Sequence, residues 1–147
     1  SAGLYMEAYL QIFYILMAVY GWSQWRAKEL PLVVGTWQLS SHLKALAMIL
    51  FLSLTSGYIL DNYTDAALPF FDALTTWGAV VATYMVAKKL IENWIYWFVI
   101  DFISVFLFLS RDLFLTALLF AGYLVIIIFG YKAWKLSMLE TKKGINN

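Results

Sequence analysis

Residues 94–110 read WIYWFVIDFISVFLFLS, from Trp94 to Ser110. Apart from Asp101 and the two serines, Ser104 and Ser110, every side chain is aromatic or branched aliphatic. A bilayer core is crossed by a helix of about 20 mostly apolar residues, so the run reads as a transmembrane helix. An acid in its middle costs roughly 2.5–3.5 kcal/mol on insertion scales. A carboxylate kept at that cost faces a cavity, a partner charge or a ligand, or it hydrogen-bonds a Thr or Tyr of a neighbouring helix. The residues leave both readings open. The first makes Asp101 a candidate contact for something positively charged or rich in hydroxyls.

The rest of the chain fits that setting. Only 13% of its residues are charged, against about 25% in a soluble domain, so it reads as an all-α integral membrane protein. The net charge of +1 gives no electrostatic reason to expect nucleic acid as a partner. Cysteine is absent, which excludes disulfides, zinc–thiolate sites and thiol catalysis. The single histidine, His42, falls at a predicted helix start and reads as an interfacial cap or a solvated residue. One histidine cannot hold a metal or a haem, so neither a metal nor any other cofactor is expected. Glu92 and Asn93 sit at a span's end with no His or Cys to pair with them. No hydrolytic triad or phosphate-cradling glycine loop appears, and an enzyme is not expected.

Hydropathy marks five spans: Leu4–Trp25, Leu43–Leu60, Pro69–Ala87, Trp94–Ser110 and Leu113–Trp134. In lipid every backbone polar group must be satisfied internally. The long apolar runs without strand alternation therefore predict helices. Pro31 and Gly35 break the one longer connection, and Ser40 and Ser41 are placed to cap the helix after it. Basic residues alternate from side to side. Arg26, Lys28 and Lys44 share one side with Lys88, Lys89, Lys132, Lys135, Lys142 and Lys143, whereas the loop with Asp61 and Asp65 has no Lys or Arg. By the positive-inside rule the basic side, with the C-terminus, is cytoplasmic, and Ser1 and the Ser110–Asp112 turn lie outside. Residues 1–135 read as one transmembrane domain, and residues 136–147 as a polar cytoplasmic tail that frays from Leu136. No basic segment with a cleavage site marks a signal peptide, and the start at Ser1 suggests a fragment or a chain lacking its first helices.

Helical spacing places the polar groups on stripes. Trp97, Asp101, Ser104 and Phe108 share a face of the fourth span, with Asn93 one turn earlier. Ile95, Val99, Phe102 and Phe106 form the opposite face, suited to lipid or helix packing. The first span aligns Gln11, Tyr14, Ala18, Trp22 and Trp25. Aromatic rings near a boundary serve as interfacial anchors or wall a cavity, and both readings stand here. Gly21 permits a close helix approach. In the third span Asp72, Thr76, Ala79 and Thr83 line up, as helix contacts or cavity groups, and Asp72 can also cap the helix behind Pro69. The fifth span offers Thr116 and Tyr123, with Gly122 as a packing residue. Aromatic faces attract cations, by about 2 kcal/mol or more when desolvated. A flat cationic solute suits such a wall, and a phosphate ester does not, because no buried Arg or Lys meets it. Two classes remain: a transporter with a midplane site, and a non-transporting assembly subunit whose polar groups face a partner.

One repetition favours the transporter, since internal repeats are common there. Tyr20-Gly21-Trp22 with Trp25 closes the first span, and Phe129-Gly130-Tyr131 with Trp134 closes the last. Two parallel three-helix repeats joined by a linker helix place them at equivalent positions.

Taken together, Tyr20-Gly21-Trp22-Ser23-Gln24-Trp25, Pro69-Phe70-Phe71-Asp72-Ala73, Ala87-Lys88-Lys89 and Ile91-Glu92-Asn93-Trp94, followed by Trp97 and Asp101-Phe102-Ile103-Ser104-Val105, resemble the PnuC family of vitamin transporters over nearly the whole chain. The resemblance implies a seven-helix, SWEET-like fold of two three-helix bundles and a linker. Five of its helices are present: the last of the first bundle, the linker and the complete second bundle. It further implies a homotrimer in a bacterial inner membrane. A cationic B-vitamin precursor would be carried by facilitated diffusion and trapped by a cytoplasmic vitamin kinase. Nicotinamide riboside carriers resembling this chain are expected to have Asn at the position of Ala18, and some have Asn at that of Asp101. A small residue and an acid at those places resemble thiamine carriers, so thiamine is the preferred expectation and nicotinamide riboside the alternative. On this reading Trp22, Trp25 and Trp97 stack on the substrate ring. Asn93, Gln11 and Tyr123 hydrogen-bond its polar edge, and Asp101 accepts from it or balances its charge. Tyr14, Thr76 and Ser104 complete the set.

Overall fold

The third span shows how the chain builds its elements. Pro69 opens the helix Pro69–Ala87 at a position whose N–H has no helical partner in any case. The helix ends where Lys88 caps it and Lys89 turns left-handed, at φ 58°. There the Lys89 N–H donates to the Val86 carbonyl at 2.9 Å and the Leu90 N–H to the Met85 carbonyl at 2.9 Å. This is a Schellman end, and its apolar pair, Leu90 and Met85, is buried in the core. Asn93–Ser110 ends the same way, with Asp112 left-handed at φ 59° and the Leu113 N–H donating to the Phe108 carbonyl at 2.9 Å.

The structure, a computed structural model, describes residues 2–26, 33–63 and 68–146. The helices are α1 (Ala2–Arg26), α2 (Leu39–Tyr63), α3 (Pro69–Ala87), α4 (Asn93–Ser110) and α5 (Phe114–Asn146). Among the described residues four of them, α2 to α5, are long and apolar enough to cross a membrane, and Ala8–Ser23 of α1 is a shorter apolar stretch. The protein is a multi-pass, all-helical membrane protein. Lys28, Pro31 and Asp65, which enter the loop and charge readings above, lie outside the described residues.

α3 is the central element and packs against α1, α2 and α4, while α5 packs on α4. Its buried face is made of small residues, Ala73, Gly78, Ala79, Ala82 and Ala87, with Met85. Small side chains let helix backbones approach closely where lipid gives no hydrophobic drive to association. Ala45 and Ile49 of α2 meet Val81 and Met85 of α3 and Leu90 in the main cluster, flanked by Trp37, Leu74, Trp77 and Tyr96. The outer surface is apolar, as a lipid-facing surface requires. The expected outer stripe of α4, Ile95, Val99, Phe102 and Phe106, is exposed, and the Asp101–Ser104 stripe is buried.

Several boundaries differ from the sequence reading. α2 begins at Leu39, four residues early, so Ser40 and Ser41 lie inside its first turn; the Gln38 carbonyl accepts from the Ser41 and His42 N–H groups instead. The segment before α2 is tied to the α3–α4 turn. The Gly35 N–H donates to Lys89 and the Gly35 carbonyl accepts from Ile91, both at 3.0 Å. No fraying begins at Leu136, because α5 continues to Asn146. Its last dozen residues are rich in good helix formers, with Lys143 in the final turn where a cation favours the helix dipole. Asp72 does not cap α3. Both of its carboxylate oxygens accept from the Arg111 Nη2, at 2.7 and 2.6 Å, joining the start of α3 to the end of α4. A Cβ added at Gly122 would meet nothing within 4 Å, so the expected packing contact is not made there.

Candidate functional site

Helical spacing turns one face of α1 toward α3 and α4, and a cavity of about 530 Å³ opens along that seam. α1 supplies Tyr14, Met17, Ala18, Gly21, Trp22 and Trp25; α3 supplies Thr83, Val86 and Ala87; α4 supplies Trp97. The helices meet closely at the Trp25 end because Gly21 has no side chain. A Cβ there would stand 3.3 Å from the Ala87 Cα. The Trp25 indole N–H donates to the Ala87 carbonyl at 2.9 Å, which fixes the ring against the end of α3. Midway along the seam the rings of Tyr14 and Trp97 are 6.4 Å apart.

The lining has no charged residue. Cations gather at one end. The Lys89 ammonium lies 5.1 Å from the Trp25 ring centre, and the Lys88 ammonium 5.5 Å from that of Tyr20 and 5.8 Å from that of Tyr84. These are cation–π distances. A hydrogen bond from the Lys88 ammonium to the Tyr20 hydroxyl raises the lysine pKa above its ordinary value, so the charge persists at neutral pH.

Of the ten candidate residues, Tyr14, Trp22, Trp25 and Trp97 meet in the cavity. Asp101 and Ser104 follow Trp97 on the same stripe, one and two turns further along α4, and are 4% and 7% exposed. The Ser104 hydroxyl donates to the Ile100 carbonyl at 2.8 Å. Asn93 is fully buried. Its amide N–H donates to the Leu90 carbonyl at 2.5 Å, and its carbonyl oxygen has no partner among the described residues. Thr76 donates to the Asp72 carbonyl at 2.8 Å. Gln11 is exposed on α1, and Tyr123 on α5 is 38% exposed, with its ring 5.3 Å from Phe120. The stripe of α3 offers Thr83 as a helix contact or a cavity group. It lines the wall, while its hydroxyl donates to the Ala79 carbonyl.

A second polar group escaped the sequence reading. His42 is neither a cap nor solvated. Its Nδ1 shares a 2.8 Å hydrogen bond with the Tyr96 hydroxyl, its Nε2 lies 3.5 Å from Glu92, and the Trp37 ring meets it at 5.5 Å. Glu92, expected to lack a histidine neighbour, has one, and it also accepts from the Trp37 main-chain N–H at 3.0 Å. The only available signal was that both groups fall on the basic side.

The model of the family described as nicotinamide mononucleotide transporter matches residues 1–136. The chain belongs to this family. Two relatives, each described as nicotinamide riboside transporter PnuC, come from Escherichia coli (strain K12) and Shigella flexneri. Each is 23% identical over 159 residues, covering 89% of this chain and 66% of the relative. The chain therefore spans slightly less than two thirds of their length. No solved structure matches it. Membership of the nicotinamide mononucleotide transporter family bears out the PnuC resemblance. It lends no support to the thiamine preference, because both relatives carry the name of nicotinamide riboside.

Proposed function

We propose that this protein carries a cationic, ring-bearing vitamin across the membrane by facilitated diffusion, and that the solute binds in the seam between α1, α3 and α4. The observation that carries this reading is the cavity wall: four aromatic rings, Tyr14, Trp22, Trp25 and Trp97, and no charged side chain. A desolvated aromatic wall favours a cation by about 2 kcal/mol or more. No cation is among the lining residues, and Lys88 and Lys89 stand only at its basic end, which favours a nucleoside over a nucleotide within the wall itself. The names of the two relatives support nicotinamide riboside as the solute. Thiamine is the second reading, favoured by the small Ala18 on the wall and the buried acid Asp101 one turn beyond Trp97.

In this reading Trp22, Trp25 and Trp97 stack on the ring. Asp101 balances its charge, and Gln11, Asn93, Thr76, Ser104 and Tyr123 serve the polar edge as the helices move. α1 is the last helix of a first bundle, α2 the linker and α3–α5 the second bundle, rocking against each other to expose the site to either side. The basic end faces the cytoplasm of a bacterial cell, where a kinase phosphorylates the vitamin and traps it. The protein assembles as a homotrimer in the inner membrane. Counterflow of labelled nicotinamide riboside and of labelled thiamine in liposomes tests the reading. Saturable exchange of one names the solute, and exchange of neither overturns the proposal.

A further inference from the structure

The contacts across the seam are unevenly distributed. Near its middle Tyr14 meets Trp97, whereas at the basic end Trp25 is held from several directions. The Ala87 carbonyl takes its N–H, the Lys89 ammonium lies over its ring, and Trp134 of α5 meets it edge-on, with ring centres 6.4 Å apart and planes at 65°. Trp134 does not line the cavity. It is set by α4, because Trp94 lies edge-on to it at 5.3 Å and 87°, and Trp94 in turn is seated on Gly130 so closely that a Cβ there would fall 2.5 Å from the indole. Trp25 is thus shared between the cavity wall and this aromatic cluster, and it is the partner of Trp134 in the internal repeat. The Trp94 indole N–H is buried without an acceptor among the described residues.

We propose that Trp134 is a gating residue: its edge contact with Trp25 closes the basic end of the seam, and breaking that contact opens the cavity to that side. The inference rests on the transporter reading, but not on which vitamin is carried. Trp134 acts through Trp25 and touches no solute.

The absence of cysteine allows a direct test. Ala18→Cys places a single thiol on the cavity wall. Its labelling by a membrane-impermeant maleimide is followed in right-side-out and in inverted vesicles, with any cysteine outside residues 1–147 replaced by serine. Trp134→Ala and Trp134→Leu should each speed labelling from the basic side roughly three- to ten-fold, the shift expected when one aromatic edge contact is lost from a two-state equilibrium. Trp134→Phe should restore the parental rate. Leu fills volume without an aromatic edge and serves should the Ala variant fail to fold. Unchanged labelling in the Ala and Leu variants, equal acceleration from both sides, or failure of Phe to restore the rate overturns the gate. One-sided acceleration in a protein that exchanges neither vitamin leaves the gate standing and overturns the proposed function alone.

Discussion

The indole N–H of Trp25 donates to the main-chain carbonyl of Ala87 at 2.9 Å. One side chain of the cavity wall thereby joins α1 to the last residue of α3. Trp25→Phe keeps an aromatic face and removes the donor. The expected loss is about 1 kcal/mol of stability, the net worth of one hydrogen bond, with solute affinity lowered less than by Trp25→Ala. Thermal unfolding in detergent and equilibrium binding measure the two effects separately. An unaltered midpoint for the Phe variant would show that the bond does not hold the seam.

Two glycines of α5 should respond oppositely to the same change. A Cβ at Gly130 collides with the Trp94 indole, whereas at Gly122 it meets nothing within 4 Å. Gly130→Ala should destabilise by about 1–3 kcal/mol, the usual cost of overpacking. Gly122→Ala should be neutral or stabilising by up to about 1 kcal/mol through helix propensity. Unfolding midpoints of the pair, measured side by side, decide the matter.

Arg111 and Asp72 tie the end of α4 to the start of α3 through two short charge-assisted bonds. With both side chains less than one-third exposed, either Arg111→Gln or Asp72→Asn should cost about 1–3 kcal/mol. The double variant should cost less than the sum, because it leaves no unpaired charge. Strict additivity in the cycle would mean that the pair contributes nothing.

These pairs show what local sequence can reveal. The spans were legible because each apolar run spells its own helix, and the buried stripe of α4 followed from spacing alone. The left-handed ends at Lys89 and Asp112 were not, since neither residue is the glycine that usually marks such an end. Gln38 in place of Ser40 or Ser41 at the start of α2, and the joining of Asp72 to Arg111, depend on packing that no local window contains. Within the site the aromatic wall was readable, because Tyr14, Trp22 and Trp25 repeat at helical intervals. Which polar groups reach the cavity was not: Asn93 is turned into its own helix start by the Leu90 carbonyl.

His42 and Tyr96, fifty-four residues apart, share a hydrogen bond at 2.8 Å, and Glu92 stands beside them. The cluster links the start of α2 to the first turn of α4. A double-mutant cycle of His42→Ala and Tyr96→Phe should return a coupling of about 1 kcal/mol, within the range for residues in one network. Repeating it in a Glu92→Gln background should change that coupling. A coupling near zero would leave the contact without energetic weight.

Asp101 is the sharpest test, because stability and binding should move in opposite directions. Asp101 is 4% exposed, one turn beyond Trp97 in an apolar helix, and an acid there costs roughly 2.5–3.5 kcal/mol on insertion scales. Asp101→Asn removes the charge and keeps the shape, so the variant should unfold at a higher temperature. Two unit charges roughly 10 Å apart at an effective dielectric of about 20 attract by about 1–2 kcal/mol, and the same variant should therefore bind a cationic vitamin about ten-fold more weakly. A purely structural acid, hydrogen-bonded across to Tyr14, predicts instead lower stability and unchanged affinity. Measuring both quantities on one purified variant separates the two accounts, and unchanged affinity removes the counter-charge from the site.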